Sequence, residues 1–272
     1  MCGKSFRHGI GPPFEQKLVK ATPRISLGQP TPALRAILSF AWLPFPLYSL
    51  EERMDTHQFF DELHQCIAKY DLLCHPFYRA WSAGELNRDT LREYAADYYH
   101  HVAAFPTYLS ALHCRLPDGE TRRALLGNLC DEEIGGVPHS ELWLDFAEGM
   151  GNQRDQVRLG KPSEPVRALI DAFRSLVSCG SLPGAFAALF AYESQVPRIA
   201  KLKARALAER YGADAKTCRY FVLHETADIQ HAQVWREQLA QLLQLAPDIA
   251  NEALLSGEQA AQALWKALDS RI

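Results

Sequence analysis

The chain has 272 residues, 47% of them hydrophobic, and a formal net charge of −3. This size and apolar content allow one substantial core, and the near-neutral charge gives no sign of a nucleic-acid-binding surface. The seven cysteines are odd in number and form no Cys-x-x-Cys pair. Their pattern argues against a disulfide framework and a thiolate zinc site, and favours a reducing, cytoplasmic environment.

Residues 1–53 differ in composition from the rest of the chain. They hold seven of the 16 prolines and no apolar stripe longer than a turn or two. We interpret them as a disordered or non-native extension, with Met54 as an alternative first residue; a basic targeting segment is the functional alternative. Residues 34–50 are the most apolar stretch, but they are too short and too interrupted to span a bilayer, so no membrane association is expected.

From residue 54 onward the apolar spacing is helical almost throughout. The predicted helical segments span residues 59–70, 91–112, 122–133, 138–149, 164–179, 184–195, 198–211, 215–244 and 250–271. Pro106 should bend the second segment, and the run from Gly135 to Pro138 should end the third and begin the fourth. The sequence shows no strand-like alternation. It therefore predicts an all-α fold, one domain of seven or eight helices over residues 54–272.

A metal-ligand pattern lies in the predicted helix 215–244. His224, Asp228 and His231 stand at positions i, i+4 and i+7, which share one face of a helix. The residues around them are mostly apolar, as in a core helix. Burying a carboxylate beside two imidazoles costs several kcal/mol unless a partner compensates. A metal ion is such a partner, although a lone pattern of this kind also occurs in hydrogen-bonded helix residues.

Three further residues could complete the site. Glu132 and His139 flank the glycine break, and Glu193 lies in a run otherwise built of alanine, leucine and phenylalanine. Three carboxylates and three imidazoles suit a pair of iron or manganese ions better than one zinc ion. No glutamate is followed by a histidine three residues later, which excludes the usual ferritin-like di-iron pattern.

Longer motifs carry a family resemblance. They are residues 75–86 (HPFYRAWSAGEL), 94–100 (YAADYYH), 105–111 (FPTYLSA), 131–133 (DEE), 192–200 (YESQVPRIA) and 224–232 (HETADIQHA). In this order they resemble the CADD-like proteins, named after a chlamydial protein reported to associate with death domains. These belong to the haem-oxygenase-fold di-iron oxidases. The resemblance covers roughly residues 55–242.

The resemblance implies a haem-oxygenase-like bundle, a dinuclear centre and an oxidoreductase that makes 4-aminobenzoate for folate biosynthesis. It implies two metal ions, Fe/Fe or Fe/Mn, with O2 and an external reductant as co-substrates. By position, the metal ligands are Glu132, His139, Glu193, His224, Asp228 and His231. The implied source of the product is a tyrosine of the protein itself, at Tyr78, and Lys203 is the implied amino donor.

Other roles stay open at this point. Tyr94 and Tyr192 could relay radicals, but they and Tyr78 could also be core packing, and Lys203 could be a solvated helix lysine. The same ligands could serve an enzyme that oxidises an external fatty acid or amine. Metal-free relatives of thiaminase II type use a cysteine nucleophile near the position of Ala187, where this chain has none.

Relatives of the pyrroloquinoline-quinone synthase C type lack the full ligand set, so six intact ligands count against that class. A homodimer is expected from family similarity alone. We do not expect a death-domain-type protein partner, because the sequence displays no identifiable interaction surface.

Overall fold

Every regular element in residues 54–269 is a helix. The computed structural model describes these residues and Arg271, and they lie in one compact unit of the chain. The α-helices are α1 Thr56–Ala68, α2 Pro76–Ala83, α3 Arg88–Arg115, α4 Glu120–Glu133, α5 His139–Gly149, α6 Arg154–Leu159, α7 Glu164–Ser178, α8 Leu182–Glu193, α9 Val196–Arg210, α10 Ala215–His224, α11 Ala227–Leu245 and α12 Ala250–Asp269. Short 3-10 helices occupy Leu72–Cys74 and Pro247–Ile249. The predicted extension 1–53 lies outside the described residues.

The all-α prediction is confirmed, but the predicted number of helices was too low. The described residues form twelve α-helices instead of seven or eight. The predicted helix 215–244 divides into α10 and α11 because the backbone at Thr226 turns away from helical geometry, with φ −124° and ψ −37°. The apolar pattern continues across this junction, so periodicity cannot reveal it. The short helices α2 and α6 fall below the window in which periodicity is informative.

Helix α3 is the longest element and begins at a well-formed cap. The Asn87 side chain accepts a hydrogen bond from the Thr90 backbone N–H at 2.8 Å, as the cap preference for asparagine predicts. The helix then continues as a single α-helix through Pro106. It packs against α4, α5, α6 and α7.

Helix α8 is the centre of the bundle. It packs against α7, α11 and α12, and its residues 183–191 are all buried. A helix that is apolar on every side is expected at such a position. Full burial of side chains such as Phe186 and Leu189 contributes about 1.5–3 kcal/mol each. The last residue of this buried helix is Glu193, so its carboxylate ends inside the protein.

The remaining helices bring further polar side chains to the same interior. Helix α10 packs against α5 and α9, and α9 packs against α2. Among the described residues, no helix is both long and apolar enough to span a membrane.

Candidate metal centre and the buried tyrosine–lysine cluster

The six predicted metal ligands come from the ends of five helices. Each of the six exposes 5% or less of its surface. Glu132 lies near the end of α4, His139 begins α5, Glu193 ends α8, His224 ends α10, and Asp228 and His231 lie in the first turns of α11. Helix ends converge here because the chain breaks between α4 and α5 and again between α10 and α11.

The prediction that His224, Asp228 and His231 share one continuous helix was wrong. His224 closes α10, and the other two open α11 after the break at Thr226. The break turns α11 relative to α10 without separating the three residues. The three predicted side chains therefore meet although the backbone does not form the single helix on which the spacing argument relied.

The ligand atoms form two groups that share one carboxylate. Glu132, His139 and His224 each offer a ligand atom within 4.8 Å of the others. Glu132, Glu193 and His231 do the same. Asp228 joins the second group, because its Oδ1 lies 3.5 Å from His231 Nδ1. Two neighbouring three-atom groups with a common carboxylate have the layout of a dinuclear site.

Unsatisfied polar atoms indicate that this cluster suits cations. Six buried side-chain polar atoms among the described residues lack a hydrogen-bond partner, and three belong to the cluster: His139 Nδ1, Glu193 Oε1 and His231 Nδ1. Each such atom costs about 1–3 kcal/mol if it stays unsatisfied. His139 Nδ1 lies 2.9 Å from Glu132 Oε2 but is not aligned for a hydrogen bond. Carboxylates and imidazoles are ligands that iron and manganese accept.

The charges of the cluster are strongly coupled. Burial raises the pKa of the Glu193 carboxyl to about 7, although His231 and Trp235 oppose the shift. Burial lowers the pKa of His231, but the neighbouring Asp228 and Glu193 reverse this and raise it to about 11. Without a cation the cluster therefore holds protons between its acids and imidazoles. A cation must displace those protons to bind.

Three side contacts, none of them predicted from the sequence, orient the candidate ligands. His224 Nδ1 donates to the Tyr220 carbonyl oxygen at 2.7 Å, which leaves Nε2 free for an ion. The indole N–H of Trp235 donates to Glu193. His231 Nε2 lies 3.4 Å from Asp131 Oδ2. Such partners fix the tautomer and direction of a ligand. The only signal in the sequence was their closeness along the chain to the ligands.

A cavity of about 350 Å³ adjoins the cluster. His139 and His231 form part of its wall, together with Arg219, Gln230 and the exposed residues 135–137. The cavity therefore connects one ligand from each group with the surface. It offers a route for an ion or a small reductant.

A second cluster joins Lys203 to two tyrosines. Lys203 exposes 3% of its surface, whereas Lys201, the other lysine of the same helical turn, is exposed. The Lys203 amine donates to the hydroxyl of Tyr78 at 2.9 Å and to that of Tyr94 at 2.7 Å. The two hydroxyls lie 3.1 Å apart. The structure thus brings together three of the four predicted catalytic residues, and Lys203 is not a solvated lysine.

Burial sets the protonation of this second cluster. It lowers the pKa of the Lys203 amine well below the ordinary value. It raises the pKa of Tyr78, and raises that of Tyr94 well above the ordinary range. Burial therefore favours the neutral form of each of these groups. A neutral amine keeps a lone pair that can take a proton or attack carbon.

A series of aromatic rings links the two clusters. Tyr94 stacks on Tyr98 with ring centroids 5.2 Å apart, and the Tyr98 ring lies 5.5 Å from that of Trp143. The Trp143 ring is 4.8 Å from that of Tyr220, which stacks on the ligand His224 at 4.0 Å. Aromatic contact is therefore continuous from the lysine–tyrosine cluster to a metal ligand.

Tyr192, the fourth predicted catalytic residue, lies beside this series. It lines a small internal cavity of about 30 Å³ with Tyr78, Tyr98, Lys203 and Tyr220. The space is about that of one water molecule. Tyr192 contacts the shared cavity but makes no direct hydrogen bond to the Tyr78 or Lys203 side chains.

The comparisons agree with this geometry. Residues 92–266 match a family described as iron-containing redox enzymes. The 4-aminobenzoate synthase of Chlamydia muridarum is 41% identical over 78% of this chain and 89% of its own length. The 4-aminobenzoate synthase of Nitrosomonas europaea is 38% identical over 79% of this chain and 92% of its own. Since the first match spans more than half of the chain, and these relatives are similar over most of their length, the family is established.

The fold has close counterparts as well. A Shewanella denitrificans domain with a heme oxygenase-like fold superposes with a TM-score of 0.66 at 15% identity, over 80% of this chain and 91% of that one. At that identity the likeness concerns the fold alone. Together, the sequence match and the all-helical bundle show that this chain belongs to the iron-containing redox enzymes with a haem-oxygenase-like fold.

Proposed function

We propose that the protein makes 4-aminobenzoate from its own Tyr78, with Lys203 as the amino donor and with O2 and an external reductant as co-substrates. One contact carries the proposal: a buried amine within hydrogen-bond distance of a buried phenol, at 2.9 Å. The product is an aromatic ring bearing an amine and a carboxylate. The names of the two relatives support the same product.

The bonds that must change follow from the product. The ring and Cβ of Tyr78 leave together: the Cα–Cβ bond breaks, Cα takes up a hydrogen so that residue 78 becomes a glycine, and O2 oxidises Cβ to the carboxylate carbon. The phenol C–O bond is replaced by a C–N bond, and the phenol oxygen leaves as water. If Lys203 is the donor, its Nζ–Cε bond breaks as well and Cε is oxidised to an aldehyde. Two O2 molecules and two electrons from the reductant balance these changes, with two protons taken up and two water molecules released.

The ligand set Glu132, His139, Glu193, His224, Asp228 and His231 would hold the metal ions. Two irons, or iron with manganese, would supply the activation of O2 there. Glu132 belongs to both groups of ligand atoms, so it would serve both ions. Reconstitution of the protein with iron alone, and with iron and manganese together, decides which metal pair is active.

The protein's own residues then have distinct tasks. The ring series gives an electron from Tyr78 a path toward His224 through Tyr94, Tyr98, Trp143 and Tyr220. The neutral Lys203 amine, 2.9 Å away, takes the hydroxyl proton of Tyr78. The Tyr94 hydroxyl accepts a second hydrogen bond from the amine, at 2.7 Å. We propose that Tyr192 modifies the electron path along the ring series or adds a branch to it. Burial of the cluster keeps water from competing for oxidised intermediates.

Self-consumption makes the protein a reagent that acts once per chain. A tyrosine fixed in a helix beside its amine has an effective concentration that no free metabolite reaches. This high effective concentration compensates for the fact that each chain can react only once.

The test is a single-turnover reaction on protein whose tyrosines carry ring-labelled carbon. The protein is loaded with iron and manganese and given reductant and O2 among unlabelled small molecules. Labelled 4-aminobenzoate is expected, and Tyr78→Phe should abolish it. Tyr99→Phe is the matched control, because Tyr99 lies in α3 but outside the ring series and should leave the yield unchanged. Unlabelled product would overturn the proposal and indicate an external substrate.

A homodimer and a cytoplasmic location stay predictions. Sedimentation of the metal-loaded chain and fractionation of cells address them separately.

A further inference from the structure

A buried histidine caps the short helix that carries Tyr78. His75 precedes α2 and exposes 0% of its surface. Its Nδ1 accepts a hydrogen bond from the Phe77 backbone N–H at 3.1 Å. Where another α-helix of the described chain has a side-chain cap, the residue is a usual acid, amide or hydroxyl, as at Asp55, Asn87, Ser181 and Asp214. Histidine is not among the preferred cap residues, so its use here calls for a reason.

The cap fixes the tautomer of the ring. Because Nδ1 accepts a hydrogen bond, the neutral imidazole must carry its proton on Nε2. Nε2 lies 3.2 Å from Oδ1 of Asp269, near the end of the last helix α12. The Trp265 ring packs edge-on against the imidazole, with centroids 4.5 Å apart. Asp269 and Trp265 thus hold the ring in the only tautomer and orientation that can cap α2.

Tyr78 is sensitive to this cap because it lies in the first turn of α2. The helix has only eight residues, so its ends decide its position. Ser82 donates to the Tyr78 carbonyl oxygen at 2.8 Å, and Gly84 closes the helix with φ +77°. Those contacts fix the C-terminal end of α2, and His75 fixes its N-terminal end. Misplacement of a reacting group by about 1 Å can lower a rate a hundredfold.

We propose that His75 and Asp269 are positioning residues that hold Tyr78 against Lys203, so that oxidation is spent on residue 78 and not on neighbouring aromatic rings. The inference rests on the proposed function. It adds a link between the carboxyl end of α12 and the residue that is consumed. It also explains why a histidine replaces an ordinary cap: aspartate or serine could accept from Phe77 N–H but could not reach α12 as well.

The first test determines which residues are oxidised. His75→Ala removes both contacts, Asp269→Ala removes the α12 contact, and His75→Asn restores a cap without the link. Each is loaded with metals, reacted once and analysed by peptide mass spectrometry. Loss of the cap is expected to lower the fraction of chains cut at residue 78 about tenfold. The missing oxidation should appear on Tyr94 or Trp81, with metal content unchanged. His75→Asn should recover part of the cleavage.

The matched control is Asp55→Ala, which removes the side-chain cap of α1. It should leave the site of oxidation unchanged, even where it lowers the melting temperature as much as His75→Ala does. A His75→Ala protein with wild-type cleavage at residue 78 would overturn the inference. So would cleavage that falls only in proportion to the folded fraction.

A second readout needs no turnover. Protein made with 3-fluorotyrosine gives a fluorine signal for residue 78, which Tyr78→Phe assigns by its disappearance. His75→Ala and Asp269→Ala should shift or broaden that signal, and Asp55→Ala should not. If wild-type protein yields no labelled product, the proposed function fails while this signal still decides the positioning role. An unmoved signal in both variants would contradict that role directly.

Discussion

The consumption of Tyr78 should weaken the fold, because the lost ring is part of the core. Tyr78 exposes 3% of its surface. Its ring centroid lies 5.6 Å from that of Phe77 and 6.4 Å from that of Trp81. Its hydroxyl contacts Tyr94 and Lys203. Cleavage at Cβ removes all of these contacts at once and leaves a glycine within α2.

The size of the effect follows from two contributions. Truncation of a buried aromatic side chain to alanine costs about 3–5 kcal/mol. Glycine in place of alanine within a helix adds about 0.5–1 kcal/mol. The sum is about 4–6 kcal/mol. At about 2–4 °C per kcal/mol for a domain of this size, the spent chain should melt roughly 10–20 °C below the unreacted chain.

The assay compares three proteins by thermal unfolding after chelation, so that bound metal does not contribute to the difference. They are unreacted wild type, reacted wild type and the Tyr78→Gly variant, which reproduces the loss at residue 78 but keeps the Lys203 amine. Reacted protein and the variant should both melt well below the unreacted chain. Wild type kept without O2 is the control and should retain its melting temperature. A spent chain within about 2 °C of the unreacted one would refute the reasoning.

Three further predictions concern the two clusters. Replacement of the shared ligand in Glu132→Ala should lower the content of both ions, whereas His224→Ala should mainly lower one; metal analysis of reconstituted protein measures this, and equal losses would contradict the sharing. Lys203→Met should abolish 4-aminobenzoate while the metal content stays at the wild-type level, and product from this variant would exclude Lys203 as the donor. Burial lowers the pKa of Lys203 in the folded chain. Below about pH 10.4 the unfolded chain therefore binds a proton at this amine that the folded chain does not. The free energy of unfolding of the wild type should consequently fall as the pH falls from there toward neutrality. Lys203→Met should remove that part of the slope in urea unfolding at pH 9.5 and pH 7, and an unchanged slope would mean that the amine stays charged.

The members of the buried acid–histidine cluster could be predicted from the sequence because their chemistry is unusual for their surroundings. Glu193 is an acid in an apolar run, and His224, Asp228 and His231 repeat at helical spacing. Burial of such groups demands a partner whichever way the backbone turns. That is why the six residues meet even though the single helix predicted for the last three is two helices.

The oriented contacts could not be predicted in the same way. Asp131 and Trp235 lie next to ligands along the chain, but their roles depend on angles between helices. The choice between Lys201 and Lys203 likewise depends on which face α9 turns inward. His75 is a further case, because its second partner, Asp269, lies at the opposite end of the described chain. Local patterns contain no information on such pairings.

The helix count failed for a related reason. Residues 215–244 read as one helix because the apolar spacing stays in phase across Glu225 and Thr226. The break lies at the surface, since Thr226 is exposed and water can reach the backbone groups that leave the helical pattern. It is also what turns Asp228 and His231 toward the second group of ligands.

The most direct test of the central claim is a count of product against consumed tyrosine. Samples taken along one reaction are measured for released 4-aminobenzoate and for the fraction of chains in which residue 78 has become glycine. If the chain is its own substrate, the two quantities rise together with a slope of one and stop when every metal-loaded chain is spent. Product that continues to accumulate with Tyr78 intact would contradict the account and show that the enzyme turns over an external substrate.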